Sequence, residues 1–423
     1  MSPAKTLHEL ASESDYDPDS MPVDKARQHI FAFLSPVTTV ERLNIRTALG
    51  RVLAEDVISP INVPQHDNSA MDGFAVRFAD LNAEGETELK TVGTAFAGKP
   101  YPGVLQPGQA VRIMTGGVIP SGADTVIQQE RAKVSADRVA VMPVAKKGTN
   151  TRSAGEDLRA GATALKRGQL LRPAEIGMIA SLGIGEVAVY RKLRVAFFST
   201  GDELVAIGQP LGPGQIYDSN RYTIYGLLQR LGCEVLDMGV IRDTPEQVQR
   251  AFEQAAQTAD VVITSGGVSV GEADYVKQIL GHLGEVLFWK IAMKPGRPLA
   301  YGKIGNAHFF GLPGNPVAVM VTFYQFVREA LLRLQGQTAI SPLPTQRVVC
   351  ASAIKKAPGR TEFQRGIVSQ DEQGEWSVRT TGEQGSGILS SMSQANCFIV
   401  LPVQQGNVAA GTVVDVQLLE GLI

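Results

Sequence analysis

The sequence predicts a multidomain protein of the α/β plus β class, with a central doubly wound α/β domain that has a mostly parallel sheet, a small inserted β-domain and a C-terminal β-domain. The first observation is that apolar strand-like runs alternate with helix-like segments through the middle third of the chain. The second is that short β-prone runs, broken by Gly and Pro, replace this alternation on both sides. The third is length, because 423 residues exceed one ordinary domain and suggest roughly three to four units.

Composition and charge exclude several classes of protein. Hydrophobic residues make up 44% of the chain and the formal net charge is only -2, so no global field attracts nucleic acid or anionic lipid. No apolar stretch approaches the ~20 residues that span a bilayer, and the N-terminus lacks the basic start and apolar block of a signal peptide. The three widely spaced cysteines fit buried thiols in a reducing compartment. We therefore expect a cytoplasmic protein without nucleic-acid or membrane partners.

The chain is predicted to divide into a tail and four units. The tail is polar, acidic and rich in turn formers, so it buries too little apolar surface to offset its ordering entropy. The units are distinguished by their hydrophobic period and their turn signals. The predicted boundaries are a disordered tail at 1–22, a discontinuous N-terminal mixed α/β subdomain at 23–61 and 153–190, an inserted β-rich subdomain at 62–152, a central α/β domain at 191–340, and a C-terminal β-domain at 341–423.

Local signals predict the elements of the N-terminal units. A helix is expected from Val23, because Ala26 and Ile30 fall on one face. A second helix is expected to start with Pro173, which suits a first-turn position, and to end at Gly183. Between them, runs such as AVRIM and DTVIQQE predict the strands of a small barrel or sandwich.

The middle third shows the strand and helix alternation most clearly. Strands are predicted at LRVAFFS, CEVLDMGV, ADVVITS and HFFGL, and each precedes a helix with one apolar face. This order implies a parallel sheet with helices on both faces. Ligands of such sheets bind outside the carboxyl ends of the strands, so we expect the functional site there. Farther on, EFQRGIV and CFIVLPV predict strands of the C-terminal unit.

Glycines and carboxylates follow two of these strands. STGDELV places Glu203 after one strand, and TSGGVSVGEADY follows another. Consecutive glycines let backbone N–H groups converge on an anion, and Mg²⁺ is commonly held by carboxylates together with phosphate oxygens. We therefore predict a phosphate and Mg²⁺ site, with tight turns and ordinary helix-capping acids as the alternative interpretation. The second motif supplies Ser265, Gly266, Gly267, Ser269, Glu272 and Asp274.

Basic residues and a constrained loop are predicted near the same edge of the sheet. WKIAMKPGRPLAYG sets three basic residues around a Pro-Gly turn, which favours anion binding over a solvated surface: Lys290, Lys294 and Arg297. In GLPGNP, two glycines and two prolines fix a loop whose backbone can approach a ligand. Its candidate residues are Pro313, Gly314 and Asn315. Farther towards the N-terminus, DNSAMDGFAV and RIMTGG place Asp72 and Thr115 beside glycine, although Asp72 with Gly73 alone would also suit a hairpin turn.

Taken together and in this order, these motifs resemble the MoeA family, the molybdopterin molybdenumtransferases that include the gephyrin E-domain. The resemblance runs from about Val23 to the C-terminus and also rests on RSAGEDL, GQIYDSNRY, KPGRPLAYG and GRTEFQRG. It implies an elongated homodimer with four subdomains in each chain. It also implies that adenylylated molybdopterin is hydrolysed and molybdate is inserted into its dithiolene, which yields molybdenum cofactor and AMP.

The resemblance also implies roles for particular residues. Glu203, Asp243 and Asp274 would bind Mg²⁺, with Asp72 and Thr115 brought from another subdomain or from the partner chain. Molybdate is a dianion whose desolvation is costly, so it requires fixed cations. Candidates for them are Lys290, Lys294, Arg297 and, in the C-terminal domain, Arg360, with Ser386 as a further hydroxyl donor.

Some positions depart from the family pattern, and two other functions stay open. Ala318 stands where relatives often have Ser, His66 where an apolar residue is common, and Gly117 where Ala is frequent. A molybdopterin adenylyltransferase would share the middle domain but has no obvious need for DNSAMDG or GRTEFQRG. A non-catalytic scaffold of the gephyrin type would leave the carboxylates dispensable. Expected partners are the pterin substrate, molybdate, a second copy of the chain, the molybdopterin adenylyltransferase and acceptor molybdoenzymes; the sequence does not separate molybdate from tungstate.

Overall fold

A computed structural model of the protein describes residues 20–266 and 274–419, without the side chains of Asp274, Tyr275, Lys277 and Phe288. Its helices are α1 Val23–Ala32, α2 Pro173–Ser181, α3 Ser219–Arg230, α4 Pro245–Thr258, α5 Asp274–Leu283, α6 Pro316–Thr322, α7 Arg328–Leu334 and α8 Leu389–Gln394. A π-helical segment, Phe323–Val327, joins α6 to α7.

The strands fall into N-terminal, inserted, central and C-terminal groups. Those before the central unit are β1 Val40–Asn44, β2 Val57–Ile58, β3 Asn68–Ser69, β4 Gly73–Val76, β5 Thr87–Ala95, β6 Gln109–Ile113, β7 Thr125–Gln128, β8 Ala132–Ser135, β9 Arg138–Val141, β10 Thr151–Arg152, β11 Thr163–Leu165 and β12 Glu186–Tyr190. Those of the central unit are β13 Arg194–Thr200, β14 Leu204–Val205, β15 Ile216–Tyr217, β16 Glu234–Ile241, β17 Val261–Ser265, β18 Gly284–Lys290, β19 Met293–Lys294, β20 Pro298–Ile304 and β21 Ala307–Leu312. The C-terminal strands are β22 Thr345–Cys350, β23 Thr361–Gln370, β24 Trp376–Thr380, β25 Cys397–Leu401 and β26 Val413–Leu418.

The central sheet has the order β16-β13-β17-β21-β20-β18. The first four strands are parallel, and β20 and β18 extend the sheet antiparallel. Side chains of β13 alternate between the faces: Phe197 packs with α1, α3 and the helices that follow β21, whereas Phe198 packs with α4 and α5. Helices therefore cover both faces, which confirms the predicted doubly wound, mostly parallel sheet.

The inserted unit contains a six-stranded sheet in the order β7-β4-β6-β5-β9-β8. Its apolar side chains form two small clusters, one around Phe74 and Ile127 and the other around Val111 and Ile113. Gly73 begins β4 because no other residue fits there: a Cβ atom would lie 1.9 Å from the carbonyl oxygen of Ile127. The predicted inserted β-domain is confirmed.

The C-terminal sheet has the order β19-β23-β24-β22-β26-β25, and a further pairing between β23 and β25 closes it on itself. The strand β19 comes from the central unit and pairs parallel with the start of β23. This pairing fixes the predicted basic turn around Lys294 against the C-terminal β-domain. The domain boundaries themselves stay predictions.

The end of the predicted tail differs from the expectation. Met21 is buried, and its backbone N–H donates to the carbonyl oxygen of Lys290, while the N–H of Ala292 donates back to Met21. Met21 and Pro22 thus lead directly into α1, so a disordered tail as far as residue 22 is wrong at its last two residues. The preceding residues, 1–19, lie outside the part that the structure describes.

Two further expectations concern cysteines and membranes. Cys233, Cys350 and Cys397 are free and buried, as expected of small hydrophobic side chains. Within residues 20–266 and 274–419, none of the helices combines the length and the apolar character needed to cross a bilayer.

Candidate functional site

Two adjoining cavities lie at the carboxyl ends of the parallel strands. The first, about 390 Å³, is here called the acidic-loop cavity and is lined by residues that include Glu203, Asn220 and Ser265. The second, about 300 Å³, is called the basic-loop cavity and is lined by residues that include Lys294 and Ser386. Gly314 and Asn315 of the predicted loop GLPGNP line both cavities. A ligand that extends past this loop would therefore contact both cavities.

Asn220, on the first turn of α3, joins the strands that form the acidic-loop cavity. Its Nδ2 group donates to Ser265 Oγ at 2.8 Å and to the Gly314 carbonyl oxygen at 2.7 Å. The Ser265 hydroxyl in turn donates to the carbonyl oxygen of Pro313 at 3.4 Å. One side chain thus fixes the ends of β17 and β21 relative to the start of α3, at the point where the two cavities meet.

Unpartnered polar atoms remain in the wall of the acidic-loop cavity. Asp218 is buried and caps α3 by accepting from the Arg221 N–H at 3.1 Å. Within the part of the chain that the structure describes, its second oxygen, Oδ2, and the Oδ1 atom of Asn220 are buried without a hydrogen-bond partner. A buried polar atom that lacks a partner is costly, so these oxygens favour a ligand that brings hydrogen-bond donors or a cation.

Gly266 makes the turn that follows β17. Its φ is +90°, and a Cβ atom would lie 2.7 Å from the Thr200 carbonyl oxygen. Its N–H donates to the carbonyl oxygen of Leu312 at 3.2 Å. Only glycine combines this left-handed backbone with so close a contact, which explains the first glycine of the predicted anion loop.

Two of the predicted carboxylates follow β13 and β16, which are neighbours in the sheet. Glu203 is exposed and lines the acidic-loop cavity, and its carboxylate folds back over Gly201. The backbone N–H of Asp243 donates to Asp202 Oδ1 at 3.4 Å, which brings the loop after β16 to the loop after β13. The described residues contain no group of three or more His, Cys, Asp or Glu side chains that could hold a metal ion, and the side chain of Asp274 is not among those described.

The basic-loop cavity contains two of the predicted cations. Lys294 is exposed, with its Nζ 3.6 Å from Oε1 of the buried Glu362. Arg297 is exposed, and within the described part of the chain its guanidinium has no hydrogen bond or ion pair. Ala318 also lines this cavity, so the departure from the family pattern removes a hydroxyl from the cavity wall itself.

Arg365, which the sequence analysis did not predict, lies near this cavity. Its side chain is almost completely buried, with the residue 1% exposed. Its Nε donates to Ser391 Oγ at 2.9 Å, and its Nη2 donates to the carbonyl oxygens of Gly385 at 2.9 Å and Glu383 at 3.4 Å. Its backbone N–H donates to Gln384 Oε1 at 2.8 Å. These bonds fix the loop that carries Gln384, Gly385 and Ser386 along the cavity. These partners are all neutral, and burial lowers the pKa of the guanidinium to about 10.

Asp72 and Thr115 form a pair in the inserted unit. The Thr115 backbone N–H and hydroxyl both donate to Asp72 Oδ1 at 2.7 Å. These hydrogen bonds, that of the backbone foremost, hold the pKa of the Asp72 carboxyl below its ordinary value, so the group is ionised at neutral pH. Asp72 is half-buried and Thr115 is exposed.

The structure thus brings part of the predicted set together. The acidic-loop cavity is lined by Glu203, Ser265, Gly266, Gly314 and Asn315, and the basic-loop cavity by Lys294, Arg297, Pro313, Gly314, Asn315 and Ser386. Of the predicted residues that are described, the following line neither cavity: Asp72, Thr115, Asp243, Lys290 and Arg360. Outside the described residues lie Gly267, Ser269, Glu272 and the side chain of Asp274.

Sequence reasoning missed three polar side chains at this site: Asp218, Asn220 and Arg365. The first two lie in GQIYDSNRY, where an Asp one residue before a helix is a signal for a capping role. Arg365 lies in EFQRGIV, whose strand pattern gives no sign that one arginine is buried. Its role depends on a loop that follows it in the sequence and is not a property of the strand itself.

Models of three protein regions match almost the whole chain. The MoeA N-terminal region (domain I and II) matches residues 21–183, a probable molybdopterin binding domain matches residues 196–333, and the MoeA C-terminal region (domain IV) matches residues 347–419.

Similar proteins of full length are also found. A molybdopterin molybdenumtransferase of Haemophilus influenzae is 47% identical over 402 residues, which cover 95% of this chain and 99% of that one. One from Nostoc sp. is 38% identical over 387 residues, covering 90% and 88% of the two chains. The crystal structure of the molybdopterin biosynthesis MoeA protein from Pyrococcus horikoshii superposes with a TM-score of 0.82 at 29% identity, covering 95% of this chain and 100% of that one.

Proposed function

The chain belongs to the MoeA family of molybdopterin molybdenumtransferases, and from this premise we propose that it inserts molybdate into adenylylated molybdopterin, with Mg²⁺-dependent hydrolysis that releases AMP and molybdenum cofactor. The observation that carries the proposal is the pair of cavities that meet at Gly314 and Asn315. One offers hydroxyl, amide and carboxylate groups, and the other offers cations. An extended substrate with a phosphate linkage and an acceptor for an oxyanion requires both kinds of surface.

Molybdate, a dianionic substrate, would occupy the basic-loop cavity. Lys294 and Arg297 supply positive charge there, and Ser386 supplies a hydroxyl. Arg365 adds a fixed charge behind the wall and positions the loop of Ser386 through its hydrogen bonds to Gly385 and Glu383. Positive groups that are already held in place need little reorganisation when the dianion arrives, which favours binding.

The phosphate linkage of the pterin substrate would occupy the acidic-loop cavity. Gly266 makes the turn at the carboxyl end of β17, and Asn220 and Ser265 fix the neighbouring loop. These groups orient the linkage so that water attacks the phosphorus atom of the AMP moiety, and the bond between that phosphorus and the bridging oxygen breaks. Binding in a fixed orientation is itself a large part of such catalysis.

The donor set fits Mg²⁺, a metal that prefers carboxylate oxygens and phosphate oxygens. The Oδ2 atom of Asp218 is buried without a partner among the described residues, in the wall that Glu203 also lines, and Asp243 lies on the adjacent loop. Glu203, Asp243 and Asp274 would hold the ion. When bound, Mg²⁺ would neutralise phosphate charge and so make phosphorus more open to attack.

Asp72 and Thr115 would complete the site from a second copy of the chain. They are paired, Asp72 is half-buried and Thr115 is exposed, and they line neither cavity among the residues that the structure describes. A homodimer, in which the inserted unit of one chain covers the sheet edge of the other, would bring them to the substrate. A cytoplasmic location and contacts with the molybdopterin adenylyltransferase and acceptor molybdoenzymes belong to the same proposal.

The test is to incubate the purified protein with adenylylated molybdopterin and Mg²⁺, with and without molybdate, and to follow AMP release and metal incorporation. We expect AMP release that depends on molybdate and is lost in Asp274→Asn. An exposed aspartate outside the site, changed in Asp371→Asn, is the matched control and should retain activity. Formation of the adenylylated pterin from ATP and free pterin, without AMP release, would instead assign the adenylyltransferase reaction. Unchanged turnover in Asp274→Asn would contradict the role of the carboxylates.

A further inference from the structure

A third cavity lies away from the sheet edge, between the N-terminal subdomain and the end of α7. It measures about 590 Å³ and is here called the hinge cavity. Residues 166–172 form one wall, Arg328 and Leu332 of α7 form another, and residues 337–344 close it on the side that leads to the C-terminal unit. The first wall is joined directly to the closing segment, because the N–H of Thr338 donates to the Gly168 carbonyl oxygen at 3.1 Å.

The hinge cavity has a strongly positive lining. Its charged residues are Lys166, Arg167, Arg172 and Arg328, and none of the described residues that line it is acidic. Arg172 is paired with Glu175 at 2.7 Å, and Arg167 donates to the Tyr190 hydroxyl at 2.6 Å, a neutral partner. The net charge of the chain is only -2, so this local excess of cations is not a consequence of a basic protein as a whole.

Arg328 is the least exposed of these cations, at 7%. Its Nη1 donates to the Ser341 carbonyl oxygen at 3.2 Å, and its Nε is buried without a hydrogen-bond partner in residues 20–266 and 274–419. Burial lowers the pKa of this guanidinium, and the neighbouring Glu329 opposes that effect. Glu329 is itself 3.7 Å from Arg27, so its charge is shared. Among the described residues, the cavity wall therefore contains a buried cation whose desolvation is only partly offset by its neighbours.

We propose that the hinge cavity binds a small molecule that carries a phosphate group. The fork of guanidinium N–H donors matches phosphate oxygens in geometry as well as in charge, and this lining provides three such groups. The volume falls within the range of roughly 300–1,000 Å³ that is usual for small-molecule sites, and it exceeds what a lone phosphate ion needs. Leu170, Leu332 and Pro342 provide apolar surface for the rest of the ligand.

A ligand in the hinge cavity would join several structural units. The ligand would contact residues 166–172, the end of α7 and the segment 337–344 at once, so it would hold the N-terminal subdomain to the central and C-terminal units. A ligand that binds the folded chain but not the unfolded chain also raises the thermal stability of the protein, in proportion to the logarithm of the ligand concentration. This site is separate from the two cavities at the sheet edge, and the proposal does not depend on the reaction proposed above.

The test is isothermal titration of the full chain with inorganic phosphate and, separately, with AMP, at constant ionic strength. Ala339 lines the cavity and is exposed, so Ala339→Asp places a carboxylate among the cations without removing one. Lys166→Gln removes one cation. Ala410→Asp introduces the same charge on an exposed turn of the C-terminal unit and is the matched control. Lys294→Gln reports on any anion that binds at the sheet edge instead.

We expect saturable binding that is retained in Ala410→Asp and Lys294→Gln. Binding should be about tenfold weaker in Lys166→Gln, which loses a charge-assisted hydrogen bond. It should be about tenfold weaker also in Ala339→Asp, whose new carboxylate repels the anion. Binding of phosphate itself would identify the free ion as sufficient, and binding of AMP alone would identify a nucleotide or similar ester. No saturable binding of either probe, binding that is equal in all variants, or binding lost only in Lys294→Gln would overturn the proposal. Molybdenum insertion by Ala339→Asp should equal that of the parent chain, so failure of the proposed reaction would be seen separately.

Discussion

Replacing Asn220 by alanine removes a side chain that joins the ends of β17 and β21 to α3. The amide donates to Ser265 Oγ at 2.8 Å and to the Gly314 carbonyl oxygen at 2.7 Å. Each neutral hydrogen bond contributes about 0.5–1.5 kcal/mol net, so the loss of both should lower the free energy of unfolding by about 1–3 kcal/mol. At a typical urea dependence, this lowers the midpoint by about 0.5–1.5 M.

The same substitution should also impair the site. Gly314 is shared by the two cavities, and without Asn220 its loop loses a fixed position relative to Ser265. We expect kcat/KM for molybdate-dependent AMP release to fall about tenfold to a hundredfold, since small displacements of positioning groups have effects of this size.

Asn396→Ala is the matched control. Asn396 also makes two bonds through its amide: its Oδ1 accepts from the Val368 N–H and its Nδ2 donates to the Val368 carbonyl oxygen, both at 2.8 Å. It is half-buried, as Asn220 is, but it lies in the C-terminal unit and does not line the two cavities. Urea unfolding and steady-state kinetics should be measured for both variants at a temperature at which each is fully folded. An equal loss of kcat/KM in the two variants, or none in Asn220→Ala, would refute the reasoning.

Three further predictions concern other features of the structure. Gly266→Ala places a Cβ atom 2.7 Å from the Thr200 carbonyl oxygen at a φ of +90°, so the free energy of unfolding should fall by about 1–3 kcal/mol; an unchanged urea midpoint would contradict this steric account. Arg365→Lys keeps the charge but loses the forked donors, so the KM for molybdate should rise about tenfold while kcat changes less, and equal changes in both would argue against a positioning role. The side-chain hydrogen bond from Arg172 lowers the pKa of Glu175 from 4.5 to about 2. The stabilisation that the ionised Glu175 carboxylate provides should therefore be complete above pH 4.5 and be lost as the pH falls towards 2. Acid titration of Glu175→Gln should show a smaller loss of stability over this range, and identical pH profiles for the variant and the parent chain would exclude this effect.

Much of the fold follows from local periodicity. The apolar faces of α3, α4 and α5 and the apolar runs of the parallel strands are visible in the sequence, because each depends on residues a few positions apart. The antiparallel direction of β18 and β20 is not visible, since an apolar run has the same composition in either direction. The pairing of Met21 with Ile291 depends on a partner far along the chain, so composition alone placed Met21 in the tail.

The site was predictable to the extent that its residues lie directly after strands. Glu203 and Ser265 line the expected edge for that reason, and Gly314 lies between the two cavities. Asn220 lies on a helix and reaches the site through its side chain, so its role depends on tertiary contacts.

The arginines near the basic-loop cavity illustrate a general difficulty in assigning anion sites from sequence. Arg360 is predicted from the resemblance of GRTEFQRG to the family pattern, but it is exposed and lines neither of the two cavities, as the described residues define them. Arg365 lies five positions later in the same motif and is almost completely buried behind the loop of Ser386. An exposed guanidinium is screened by water and salt, whereas a buried one acts over a longer distance and at full strength. Of the two arginines, the buried one is therefore expected to contribute more to the binding of a dianion, and comparing Arg360→Gln with Arg365→Gln in direct molybdate binding would test that order.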